Sequence, residues 1–161
     1  MSAHMAMVEW SLAEGPEAFL KRRYSRLHTL GFEGGARVAG SPATAVVPAP
    51  WSSPDGVDPE SAFTAALSAC HMLWFLDHAA RAGFVVASYA DEAEGTLGRL
   101  EGGKFAVTRV ALRPRIVFEG EKLPTPADIE RLHEAAHADC FIANSVTTEV
   151  VVEAPRPPDT G

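Results

Sequence analysis

Val57-Asp-Pro-Glu-Ser-Ala-Phe-Thr-Ala-Ala-Leu-Ser-Ala-Cys-His-Met-Leu-Trp-Phe-Leu-Asp-His-Ala-Ala-Arg-Ala-Gly83 is the stretch whose reading decides the fold. Asp58 is a good N-cap, Pro59 suits the first helical position, and Glu60 favours the positive end of the helix dipole. Apolar residues then recur at Phe63, Ala66, Leu67, Cys70, Leu73, Trp74, Phe75, Leu76, Ala79 and Ala80, a broad stripe of helical period. Gly83 stops it as a C′ glycine does. The spacing predicts one helix over 59–82. A helix so apolar on most sides is buried centrally, or in part by a second chain.

Outward from this helix the pattern changes period. Phe84 to Leu97 alternates as a strand, and Gly102-Gly103 makes a turn. Phe105 to Phe118 reads as one long strand whose Pro114 implies an edge or a bulge. Thr125-Pro-Ala-Asp opens a second helix, over 126–138, and Asp139-Cys-Phe-Ile-Ala-Asn is placed to cap a further helical turn. Thr147 to Glu153 is a last strand. Before the central helix, Glu14 to Ser25 suggests a short helix. Tyr24 to Phe32 and Arg37 to Gly40 read as a hairpin around Glu33-Gly-Gly-Ala. Four prolines make 41–56 a loop. Strands interrupted by two helices in this order point to α+β rather than βαβ. One domain is expected over 1–161, with 1–10 and 155–161 frayed.

Composition narrows the class. The chain has 161 residues, 47% hydrophobic and 22% charged, which suits a folded globular domain. Its 21 acidic against 14 basic residues give a net charge of -7, which repels phosphate backbones and argues against a nucleic-acid binder. No apolar run is long enough to cross a bilayer, and no secretory leader is visible, so a cytoplasmic protein is expected.

Three features bear on chemistry. Cys70, mid-helix, reads either as a small buried hydrophobe or as a reactive thiol. Cys140 lies where one helix ends and a helical turn begins, where free N–H groups are expected to lower a thiol pKa. An attacking and a resolving cysteine would suit peroxide reduction. His133-Glu-Ala-Ala-His137 matches H-E-x-x-H, the pattern that binds zinc in metalloproteases. No histidine follows His137, so a third zinc ligand is missing, and a polar helix face is the plainer reading. Gly34-Gly35 is a turn, not a phosphate loop.

Four stretches together resemble the osmotically induced protein C and organic hydroperoxide resistance (OsmC/Ohr) family. Tyr24-Ser-Arg-Leu-His with Phe32-Glu-Gly-Gly looks like the first hairpin of one subgroup. Val57-Asp-Pro-Glu60 is similar to the family's Asn/Asp-Pro-Glu helix start, and Ala65 to Phe75 to its central helix with the first cysteine. Ala136-His-Ala-Asp-Cys140-Phe-Ile-Ala-Asn-Ser resembles the second cysteine motif, with Phe141 where proline is usual. The resemblance implies antiparallel sheets packed around two central helices, in an interleaved homodimer.

It also implies a cysteine-based peroxidase with no metal, haem or other cofactor. Cys70 matches the attacking cysteine and Cys140 the resolving one. Glu60 matches the glutamate that holds an activating arginine, whose place falls to Arg26 or Arg37. The implied partners are an organic hydroperoxide and an external thiol reductant, a dihydrolipoyl protein or a small thiol. Apolar Phe63, Leu67 and Trp74 near Cys70 would favour greasy hydroperoxides. Two other readings stand beside this one. The first is a protein of the same fold that binds or senses an apolar ligand. The second is a zinc hydrolase through His133 and His137.

Overall fold

In the structure, a computed structural model, residues 2–156 are described. The chain divides into two compact units, Met1–Ala62 and Phe63–Gly161.

The first unit is built on a three-stranded antiparallel sheet in the order β1-β2-β3, of Ala6–Glu9, His28–Phe32 and Arg37–Gly40. The turn falls where the paired glycines predict it, with Gly35 at φ 85°, a conformation glycine adopts without a Cβ penalty. A short helix, α1, spans Pro16–Leu20. Residues 6–9, expected to be frayed, instead form an edge strand, Ala6 opposite Phe32 and Glu9 opposite Thr29. Strand β2 is shorter than the sequence suggests because the Arg26 N–H leaves the ladder and donates to the Trp51 carbonyl at 3.0 Å. The frayed tail expected over 155–161 lies, from 157 on, outside the described residues.

Helix α2, Pro59–Arg81, starts as its residues predict. Asp58 caps it, accepting from the Ser61 N–H at 2.9 Å and the Ser61 hydroxyl at 2.7 Å. Burial pushes the Asp58 carboxyl up, but those bonds outweigh it and hold it below its ordinary value. Gly83 ends the helix at φ 78°.

The second unit differs from its sequence reading in one instructive way. The two long strands expected over 84–97 and 105–118 are each broken in two. They form β4 (Val85–Asp91), β5 (Glu94–Arg99), β6 (Phe105–Leu112) and β7 (Pro114–Glu119). Strands β4 and β7 pair in one sheet, and β5 and β6 in another. The break lies at Glu92-Ala93 opposite Arg113, and Pro114 opens β7 as the partner of Asp91. Proline cannot donate to a ladder, and the Arg113 N–H is taken instead by the Asp91 carboxylate at 2.6 Å. One hairpin thus switches sheets halfway along its length.

Helix α3, Pro126–Asp139, opens on a capping box between Thr125 and Asp128. A single 3-10 turn follows at Ala143–Ser145. Strand β8, Glu149–Val152, lies parallel to β6. The overall class is α+β, as read.

Helix α2 buries Thr64, Leu67, His71, Phe75 and Ala79, a stripe of period three and four. Leu67 packs with Val110 and Leu112 of β6. Phe75 and Ala79 pack with Phe84 and with Leu132 and Ala136 of α3. At Gly95 a Cβ would stand 2.3 Å from the Thr64 hydroxyl, so β5 approaches α2 closely only because that residue is glycine. Helices α2 and α3 therefore share one core, and each carries one cysteine toward the other.

Candidate active site

Cys70 sits on the flank of α2, between the buried stripe and a face left exposed. It is half-buried, and both cysteines are free thiols. Helical spacing puts Phe63 and Trp74 on the same flank, seven residues before and four after. The Trp74 ring meets Phe141 edge-on at 5.4 Å between centroids and 82° between planes. Phe141 thus gives the second cysteine's segment an aromatic contact with the helix of the first.

Cys140 is the C-cap of α3 and only 1% exposed. Its N–H donates to the His137 carbonyl at 3.3 Å, and its Sγ accepts from the Ala143 N–H at 3.4 Å. That N–H pulls the thiol pKa down, as the sequence suggests. Burial outweighs it, and the interaction of the S–H with the Cys70 sulfur adds to burial. The thiol is pushed up to about 11, which corrects the expectation of a lowered value. The two cysteines, far apart in sequence, are therefore side by side, and Cys140 keeps its proton.

Next to this pair lies a polar cluster that the sequence does not announce. His71 is 1% exposed, and its Nε2 lies 3.0 Å from Nδ1 of His133 with the rings stacked at 14°. His71 Nδ1 has no hydrogen-bond partner. Burial, and then the neighbouring His133 and His137, hold the His71 pKa at about 4. Burial lowers that of His133 as well, against the opposing charge of Asp91. Asp91 accepts from the Ser68 hydroxyl and from the Arg113 N–H. The signal that could have found this cluster is His71 itself, a polar residue at a core position of the helical stripe.

The H-E-x-x-H pattern takes on a different meaning here. His133 points into the core against His71 and Phe75, with 4.6 Å between the His133 and Phe75 centroids. His137 is exposed. Among the described residues no three His, Cys, Asp or Glu come together as a metal site. The zinc reading has no ligand set to stand on.

Glu60 is half-buried in the first turn of α2. It precedes Cys70 by ten residues, or ~15 Å of helix rise. Arg37 is exposed and paired with Glu9 across the first sheet. Arg26 is half-buried, with its guanidinium 4.2 Å from the Tyr24 ring centroid.

A fold in which two cysteines meet across the central helices of an α+β unit defines a class, and comparison with known proteins agrees. The profile of the OsmC-like protein family matches residues 52–154. An OsmC-like protein of unknown function from Vibrio cholerae is 51% identical to this chain. The match covers 96% of this chain and 99% of that one, at a TM-score of 0.91. An organic hydroperoxide resistance protein from Elizabethkingia anophelis is 19% identical, over 97% and 98% of the two chains, at a TM-score of 0.67. OhrB of Bacillus subtilis, another such protein, is 18% identical over 94% and 96%, at a TM-score of 0.55. No curated protein matches. This chain belongs to the OsmC family. No helix among the described residues is long and apolar enough to cross a membrane.

Proposed function

We propose that this protein is a thiol peroxidase that reduces organic hydroperoxides. The observation that carries the reading is the meeting of Cys70 and Cys140, one half-buried and approachable, the other buried and protonated. Likeness in fold to two organic hydroperoxide resistance proteins supports it.

The chemistry runs in three steps. The Cys70 thiolate attacks the distal oxygen of the hydroperoxide. The O–O bond breaks, sulfur is oxidised to sulfenic acid, and the alkoxide leaves as alcohol after taking up a proton. Cys140 then attacks the sulfenic sulfur, forming the disulfide and releasing water, with its own proton and the hydroxyl as the leaving pair. An external dithiol reduces the disulfide by exchange. The high Cys140 pKa keeps the second thiol protonated until the first step has changed its neighbour.

Thiolate attack needs a cation nearby, and Glu60 would hold it. Arg26 and Arg37 are the proposed sources. On one helix Glu60 lies too far along the axis to serve the Cys70 of its own chain. The Glu60 acting on Cys70 would then come from a second copy, with the two α2 helices antiparallel. The exposed face of α2 suits this: Ala65, Ala66, Ala69, Leu73 and Ala80 lie along it, with Leu73 62% exposed. The expected assembly is therefore a homodimer.

Steady-state reduction of cumene hydroperoxide with a dithiol tests the reading. Cys70→Ser should abolish turnover. Cys140→Ser should react once and accumulate oxidised Cys70, visible as added oxygen by mass spectrometry. Full turnover by Cys70→Ser would overturn the assignment. Oxidation of Cys70 without turnover in the wild-type protein would move the chain to a sensing role.

A further inference from the structure

We propose that the first unit carries a binding site for a small apolar carboxylate, with Arg26 as its anion anchor. A shallow, open groove of about 410 Å³ is lined there by Val8, Trp10, Phe19, Tyr24, Arg26 and His28. That volume lies at the small end of ligand pockets. Three aromatic rings form its apolar wall and hold one another in place. Phe19 and Tyr24 are 4.6 Å apart between centroids, Trp10 and Tyr24 5.6 Å, and Trp10 and Phe19 6.1 Å. The indole is fixed further by its Nε1–H, which donates to the Ser25 carbonyl at 2.8 Å.

The polar end of the groove is Arg26. Its Nη1 donates to the Tyr24 carbonyl at 3.0 Å, and the guanidinium lies over the Tyr24 ring. One of its five N–H donors is thus spent on the backbone, which orients the fork without neutralising it. Among the described residues no carboxylate pairs with it, although eight of the other arginines and lysines do have such partners. His28 turns its Nδ1 to the Arg26 carbonyl at 2.9 Å, so it braces the backbone of the anchor. It does not supply a second donor to the groove from that nitrogen.

A planar cation oriented by stacking, beside aromatic faces, matches a molecule with an apolar body and one carboxylate. The rings take the body by contact and the fork takes the carboxylate by two parallel hydrogen bonds. A single cation suits a monoanion better than a phosphate. Apolar exposure fits the same purpose, since Trp10 is 42% and Phe19 41% exposed around a charged centre. Arg26 is also one of the two arginines proposed to activate Cys70, but the carboxylate site is read by binding rather than by turnover and does not rest on the peroxidase reading.

The test is calorimetric titration of the full chain with 4-phenylbutyrate and, in parallel, with its neutral analogue 4-phenyl-1-butanol. Saturable binding of one acid per chain is expected, about tenfold or more tighter than the alcohol. Amide NMR should move the Trp10 indole N–H. Arg26→Gln should erase the preference for the acid while leaving the alcohol bound. Phe19→Ala, and separately Trp10→Ala, should weaken both ligands, with circular dichroism checking that each variant folds. Absence of saturable binding by the folded wild-type chain, equal affinity for acid and alcohol, or an unchanged preference in Arg26→Gln would each overturn the proposal.

Discussion

Cys70 and Cys140 differ in what surrounds each sulfur. Cys140 is buried behind the first turn after α3, and its thiol is pushed up to about 11, so at neutral pH it is neither accessible nor ionised. Cys70 is half-buried on a helix flank. Brief treatment of the reduced protein with iodoacetamide at pH 8 should therefore label Cys70 well before Cys140, as read by peptide mass spectrometry. Equal labelling would show that Cys140 is not enclosed as described. The Cys140 thiol also sets a stability window. The folded chain holds that proton up to about pH 11, while an unfolded thiol loses it near its ordinary value of 9. The stabilisation is full below 9 and drains as pH rises toward 11.

At the scale of elements, α2 and α3 are joined by polar residues as well as by apolar ones. His71 is neutral in the core, with its pKa at about 4 against an ordinary 6.5. The unfolded chain takes up that proton near 6.5 and the folded chain only near 4. Stability is thus full above 6.5 and drains as pH falls to about 4, by roughly 3 kcal/mol at most. Urea unfolding at a series of pH values should show this slope, and His71→Gln should flatten it. An unchanged slope would mean that other groups carry the acid sensitivity. The switch of the hairpin between sheets depends on Asp91, which serves the Arg113 N–H and the Ser68 hydroxyl. Asp91→Ala strands both donors and should cost about 1–3 kcal/mol. Thr125→Ala removes the α3 cap and should cost ~1 kcal/mol, seen as a lower urea midpoint at constant slope.

At the scale of the molecule, an exposed small-residue face on α2 and the axial distance between Glu60 and Cys70 lead to the same expectation. Light scattering at micromolar concentration should give twice the chain mass, and Leu73→Glu should give a monomer without turnover. Mixing separately inactive Cys70→Ser and Glu60→Ala chains should recover part of the activity. A mixed dimer then holds one intact Cys70 facing one intact Glu60. No recovery, with exchange of chains verified, would place Glu60 in the same chain as the Cys70 it serves, or outside the site.

What the residues determine by themselves is local. Asp58-Pro-Glu and Gly83 bound a helix because capping and backbone freedom act over a few positions, and the structure starts and stops it there within a residue. Thr125-Pro-Ala-Asp does the same for α3. The α+β class and the family resemblance follow from such signals in order along the chain. Tertiary structure alone decided the rest. Alternation over 105–118 reads as one strand because period two persists through Arg113. Only the partner segment, with Asp91 at the break, divides it between two sheets. The Cys140 pKa turns on enclosure, which a position after a helix does not reveal, and enclosure outweighs the N–H that the sequence points to. His133 reads as a zinc ligand by spacing along one helix. It becomes a core partner of His71 because α2 packs against that face, a contact sixty-two residues away in sequence that no local pattern encodes.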